Sequence, residues 1–119
     1  MSQASLDIPN AARYLAFGIP AIKEQILYLS KCKNFAGVLQ SIINHQHQLL
    51  IEHKMNQLSR TIHFIWNVYR RGNSNIKFLI KNLYLRAQKL FTEKCSPAEW
   101  LFIQTHMPKE FIKLSNNLN

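Results

Sequence analysis

Apolar side chains return at helical intervals along most of this chain, a pattern that fits helices sharing one interior better than strands. From Asn34 to Arg71 the helical period never breaks, yet it changes phase. Phe35, Leu39, Ile42, Ile43 and Leu49 lie on one stripe, and Met55, Leu58, Ile62, Ile65 and Tyr69 lie on another. One straight helix over that span would be about 55 Å long, whereas a compact domain of this size has a radius of gyration of about 13–14 Å. The spacing therefore predicts two helices, over 35–50 and 53–71, with a kink or turn near 51–54.

Punctuation supplies the remaining boundaries. Pro20 suits the first turn of a helix over 20–32, in which Ile22, Ile26, Leu27 and Leu29 recur near helical spacing. Gly72 fits a left-handed stop after Arg70 and Arg71, whose charges oppose the negative end of the helix dipole. Asn73 or Ser74 then caps a helix over 74–93 that carries Ile76, Leu79, Ile80, Leu83, Ala87, Leu90 and Phe91 on one face. A second apolar line through Phe78 and Leu85 makes that helix a central one. Ser96-Pro97-Ala98-Glu99 reads as a capping box, with Trp100, Leu101 and Ile103 packing the helix it starts. Pro108 opens a last short helix with Phe111, Ile112 and Leu114. The expected architecture is all-α, an irregular five- to six-helix bundle in a single domain over 1–119, with 1–18 partly ordered and 115–119 frayed.

The totals agree with one packed core. Hydrophobic residues make up 47% of 119 residues and charged residues 18%, enough apolar surface to offset chain entropy. Fifteen Lys and Arg against six acidic residues give a formal charge of +9, a field that attracts nucleic acid, anionic lipid or an acidic protein. The basic residues are dispersed from Arg13 to Lys113, so no basic tail stands out. Cys32 and Cys95 have neither disulfide-framework numbers nor zinc spacing, and both are expected to be buried thiols. Asp7, Pro9, Asn10 and Arg13 interrupt any secretory leader, and no run approaches the ~18 apolar residues of a membrane span. A cytoplasmic location without membrane insertion is the expectation.

Candidate chemistry is sparse. His45 and His47 are two residues apart and point about 200° apart around a helix, so they cannot chelate one ion from one face. No Ser, Cys or Thr stands in a recognisable nucleophile set, Glu24, Glu52, Glu93, Glu99 and Glu110 are scattered, and phosphate-cradling glycine loops are absent. The chain reads as non-enzymatic, with no catalytic residue, cofactor or metal assigned.

Two binding surfaces compete. Arg70, Arg71, Lys77 and Lys81 gather around the Gly72 turn with Tyr69 and Tyr84 nearby, an arrangement able to neutralise a few phosphates. Dipole compensation and solvated lysines account for the same residues. Trp66 and Phe102 are offset from their stripes, and exposed aromatics beside Arg are typical interface anchors. The partner-binding set is therefore Trp66, Tyr69, Arg70, Arg71, Lys77 and Lys81. The favoured reading is a domain that binds another protein, with a small basic nucleic-acid-associated domain as the alternative. Met55, Leu58, Ile62 and Ile65 would suit a homodimer or the chain's own core.

From Leu58 to Leu114 the order of features resembles small helical bacterial proteins of immunity or antitoxin type. The matching parts are Ile62-His63-Phe64-Ile65-Trp66, Arg71-Gly72-Asn73, the helix from Asn75 to Phe91 and the close from Trp100 to Pro108. The resemblance implies a helical partner of another protein and transfers no functional residue. The basic charge departs from the acidic surface expected of proteins that neutralise basic nucleases.

Overall fold

A computed structural model describes residues 5–116 and is all-helical, with a radius of gyration of 13.8 Å. Seven rods follow one another among the described residues: α1 Ile8–Gly18, α2 Lys23–Lys31 led in by a 3-10 turn Pro20–Ile22, α3 Phe35–Ile51 and α4 Met55–Arg71. Then come α5, which runs without a break through Ser74–Leu79, Ile80–Tyr84 and Leu85–Lys94, α6 Pro97–His106 and α7 Lys109–Asn116. The expected count of five to six is thus too low. The extra rod is α1, in a segment for which the sequence reading set no helix.

Asp7 and Pro9, which interrupt any secretory leader, start α1 as Ser96 and Pro97 start α6. Asp7 Oδ1 accepts from the Asn10 amide at 2.9 Å, and Pro9 occupies the first turn, where its missing N–H costs nothing. Ala11, Ala12, Leu15 and Ala16 are then buried, three alanines that let α1 lie close against its neighbours. Leu6, just ahead, is pinned to the α4–α5 turn: its amide donates to the Arg71 carbonyl at 2.8 Å and its carbonyl accepts from the Asn73 amide at 3.1 Å. Of the tail expected to fray over 115–119, Ser115 and Asn116 belong to α7, and 117–119 lie outside the described residues.

The phase change at 51–54 is a true turn. α3 ends at Glu52, and the amides of His53 and Lys54 return to the carbonyls of Leu50 and Leu49 at 3.0 and 2.9 Å. This is a Schellman closure with His53 in the left-handed region at φ 57°. α2 closes the same way, with Lys33 at φ 58° and the Lys33 and Asn34 amides on Ser30 and Leu29. Gly72, expected to be left-handed, is not: its φ is −76° and its backbone is extended. It is small because a Cβ there would stand 2.5 Å from Ile76 Cγ2 and 2.7 Å from the Val68 carbonyl oxygen.

The capping box forms as read, with Glu99 donating its amide to Ser96 Oγ at 3.2 Å and Glu99 Oε1 accepting from the Ser96 amide at 2.8 Å. Asn73 caps α5 by accepting from the Ile76 amide at 3.0 Å. The core holds Leu15, Ile26, Leu39, Ile42, Leu58, Ile62, Ile65, Ile76, Ile80 and Phe111, contributed by α1, α2, α3, α4, α5 and α7. Leu58, Ile62 and Ile65 are thus spent inside the chain's own core, with Met55 half-buried beside them. His63 Nε2 donates to the His106 carbonyl, tying the end of α6 to α4. No helix among the described residues is long and apolar enough to cross a membrane.

Ile80–Tyr84 is a π segment, which inserts one residue into α5 and turns everything after it. Before the insertion the inward residues are those expected, Ile76 and Ile80. After it the inward residues are Tyr84, Leu85, Gln88 and Phe91, while Leu90, placed on the inner face by a regular period, is 63% exposed. Phe78, on the second apolar line, is also exposed, and so is Leu101 in α6.

Candidate functional site

Rings meant for a partner are largely occupied at home. Trp66 lies 5.1 Å from Phe111 between ring centroids and stacks on Tyr69 at 5.9 Å, and Tyr69 and Tyr84 lie 6.3 and 6.1 Å from Phe111. Phe111 is fully buried, so Trp66 and Tyr69 act as half-buried walls of its pocket. Phe102 likewise stacks on His106 at 4.1 Å. The reason is local: α7 folds back over α4 and α5, and its one large buried ring needs aromatic cover.

Around that cluster the basic set divides. Lys77 Nζ stands 5.8 Å over the Tyr69 ring, and Arg70 donates to Asn67 Oδ1 at 3.3 Å. Asn67 Nδ2 donates in turn to the Tyr14 hydroxyl at 3.0 Å, linking α4 to α1. Arg71 and Lys81 are exposed, with Arg70 and Arg71 in the last turn of α4, where their charges oppose the dipole. The structure joins Trp66, Tyr69 and Lys77 in one contact group with Arg70 close in sequence. That group leaves its charges, more than its rings, to solvent.

The exposed apolar residues instead include Phe17 on α1 at 83% and Tyr28 on α2 at 66%. Between these two helices runs a groove of about 560 Å³ lined by Pro9, Arg13, Leu27, Tyr28, Ser30 and Lys31. Pro9, Arg13 and Phe17 are spaced by four on α1, and Leu27 and Lys31 by four on α2, so each helix offers one apolar and basic edge. Burial explains why they point outward: α1 turns its alanines and Leu15 inward and α2 turns Ile26 inward. Sequence reasoning missed this groove because it assigned Leu27 to the packed face of α2 and no helix to α1.

Ionisable groups gather in a second place. A cleft of about 500 Å³ is lined by Asn44, His47, Leu50 and Ile51 of α3, His53 of the α3–α4 turn, Lys94 of α5 and Glu99 of α6. His53 Nδ1 lies 3.3 Å from Glu99 Oε2. Burial, with Lys94 adding to it, holds His47 below the usual imidazole value, while the Ser96 amide holds Glu99 below the usual carboxylate value. His45 points elsewhere, into a pocket with Gly18 and Arg60, as residues two apart on a helix must. Among the described residues no three His, Cys, Asp or Glu side chains meet as a metal site would require. The thiols differ from expectation. Cys32 is exposed because it caps the solvent end of α2, and Cys95 is half-buried with its thiol pushed up to about 11 by burial.

These features define a seven-rod helical domain with an apolar and basic outer groove. Over residues 12–119 the chain matches a family described as a domain of unknown function (DUF7674), and it belongs to that family. No curated protein and no solved structure matches it at a significant level.

Proposed function

We propose that this domain is non-enzymatic and binds another protein through the α1–α2 groove, the contacting face of that partner being acidic with apolar anchors. One observation carries the reading. Leu27 and Tyr28 line a groove that also presents Arg13 and Lys31, and Phe17 is exposed four residues beyond Arg13 on α1, so apolar surface is rimmed by positive charge. Surfaces of this kind mark interaction sites, in which a few large side chains supply most of the affinity and the surrounding charge selects the partner. A role of immunity or antitoxin type falls within this reading. The formal charge of +9 then directs it to an acidic target surface.

The test compares the protein with its Leu27→Ser/Tyr28→Ala variant as paired baits in extract from the source cells, followed by reconstitution with the purified captured polypeptide. The reading expects a stoichiometric complex with an acidic polypeptide that weakens about tenfold or more in the variant, the loss typical of a central anchor. Equal binding by both baits would overturn it. Salt-sensitive retention of duplex or single-stranded nucleic acid, lost in Lys77→Glu/Lys81→Glu and kept in the groove variant, would favour the alternative instead.

A further inference from the structure

The α1–α2 groove shares no lining residue with the cleft of about 500 Å³ that α3, α5, α6 and the α3–α4 turn form. That volume lies in the range of small-molecule sites and is too large for a bare ion alone. Its lining is divided by chemistry. Leu50 and Ile51 form an apolar wall, and Asn44, His47, His53 and Lys94 present side chains able to donate hydrogen bonds. We infer that this cleft is a binding site for a small organic phosphate ester, its phosphoryl group held by Lys94, His47 and His53 and its body against Leu50 and Ile51.

Glu99 remains a carboxylate, but its two oxygens already have neighbours of their own, which leaves Lys94 and His47 to a ligand. Both oxygens of that carboxylate are engaged, Oε1 by the Ser96 amide at 2.8 Å and Oε2 by His53 Nδ1 at 3.3 Å. The positive charge of Lys94 has no such partner described in the cleft, and it faces His47. His47 packs its ring edge-on against Phe91 at 5.0 Å, which limits its orientation in the cleft wall. The groups facing His47 are Lys94 from α5, His53 from the turn and Glu99 from α6, with neutral Asn44 one turn earlier on α3. Burial and then Lys94 hold His47 below the usual imidazole value. A phosphoryl dianion placed among these groups reverses the local sign, so His47 takes up a proton as the ester binds. Binding therefore tightens as pH falls from 8 towards about 6, the range in which an imidazole titrates.

The probe is phenyl phosphate, with inorganic phosphate and benzoate as arms that separate the ester from a bare oxyanion and from a carboxylate. Titration is followed through the His47 and His53 ring resonances of the intact protein. The inference expects saturable shifts at both rings with phenyl phosphate, weaker ones with inorganic phosphate, and tighter binding at lower pH. Lys94→Ala should weaken binding about tenfold or more, the effect of losing one charged hydrogen bond. His47→Gln should remove most of the pH dependence while retaining the fold, checked by circular dichroism. Absence of saturation, or an identical response in Lys94→Ala, would overturn the site. Tighter binding of benzoate than of phenyl phosphate would overturn the phosphoryl assignment. None of these outcomes touches the α1–α2 groove.

Discussion

The Tyr84 hydroxyl donates to Gln46 Oε1 at 3.1 Å, joining the π segment of α5 to the middle of α3 inside the core. The bond is one link of a chain. Gln88 Nε2 donates to the Tyr84 oxygen at 3.2 Å, Gln46 Nε2 donates to Thr61 Oγ1 at 2.9 Å, and the Thr61 hydroxyl donates to the Leu58 carbonyl at 2.6 Å. Tyr84, Gln46, Gln88 and Thr61 are all buried, and no buried side-chain polar atom among the described residues lacks a partner. Burial also drives the Tyr84 hydroxyl well above its ordinary pKa, so it stays a donor at all physiological pH.

Tyr84→Phe should therefore destabilise the domain by about 1–3 kcal/mol although it makes the core more apolar, because Gln46 Oε1 and Gln88 Nε2 lose their partner in a place water does not reach. Urea unfolding measures the loss. A Gln46→Leu/Tyr84→Phe pair should cost less than the sum of the two single changes, and strict additivity would show that the chain of bonds is not a unit.

The same segment shows where the sequence could be read and where it could not. Capping residues are local signals: Ser96 and Glu99 bond within one turn, so α6 was legible from four letters. A π insertion leaves no such mark. Period 3.6 carried through it puts Leu90 on the inner face with Ile76 and Ile80, whereas Leu90 is exposed and Tyr84, Leu85 and Gln88 are buried. Nothing in a linear pattern says that Gln46, Thr61, Tyr84 and Gln88 will meet and satisfy one another in the core. The partial burial of two rings in the candidate surface has a related reason. Trp66 is offset from the apolar stripe that ends in Tyr69, and the linear pattern does not show that α7 returns to set Phe111 against both rings.

Trp66→Ala should behave as a packing variant. It removes a wall of the Phe111 pocket, and about 2–3 kcal/mol of stability should go with it, somewhat less than for a fully buried Trp. Thermal unfolding would show the cost. An unchanged midpoint would show that the Phe111 pocket does not need Trp66 as a wall.

Gly72→Ala should destabilise by about 1–3 kcal/mol through overpacking, since the new methyl meets Ile76 Cγ2 and the Val68 carbonyl. Its extended backbone at φ −76° suits any L residue, so strain is not the cause. Gly72→Ala combined with Ile76→Ala should cost less than the sum of the two single changes, because the shorter side chain makes room for the new methyl. A Gly72→Ala midpoint equal to wild type would mean that the α4–α5 turn shifts freely.

Lys33 is a left-handed C′ residue with a side chain that this conformation disfavours. Lys33→Gly should stabilise by about 0.5–1 kcal/mol, the left-handed penalty less the extra entropy glycine adds to the unfolded chain. Chemical denaturation reads the sign directly, and a loss of stability would show that the lysine side chain earns its place by contacts.

Acid should weaken the fold in two stages with different owners. His45 and His47 are both held below 6.5, in each case first by burial, with Lys54 and Lys94 adding to it respectively and Glu52 opposing at His45. A lowered imidazole means that the unfolded chain takes the proton first. Stability is therefore level above pH 6.5 and falls as pH drops from 6.5 through the folded values. Glu52 and Glu99 act in a lower window. Glu52 is held below 4.5 chiefly by its bond from Gln48 Nε2, and Glu99 chiefly by the Ser96 amide. Their contribution is present above 4.5 and disappears as pH falls through their folded values. Urea midpoints measured across this range should show both limbs. His45→Gln/His47→Gln should flatten the upper limb and spare the lower, because the carboxylates keep their amide partners. A profile with no decline until the carboxylate range would mean that the imidazoles are as hydrated in the folded chain as in the unfolded one.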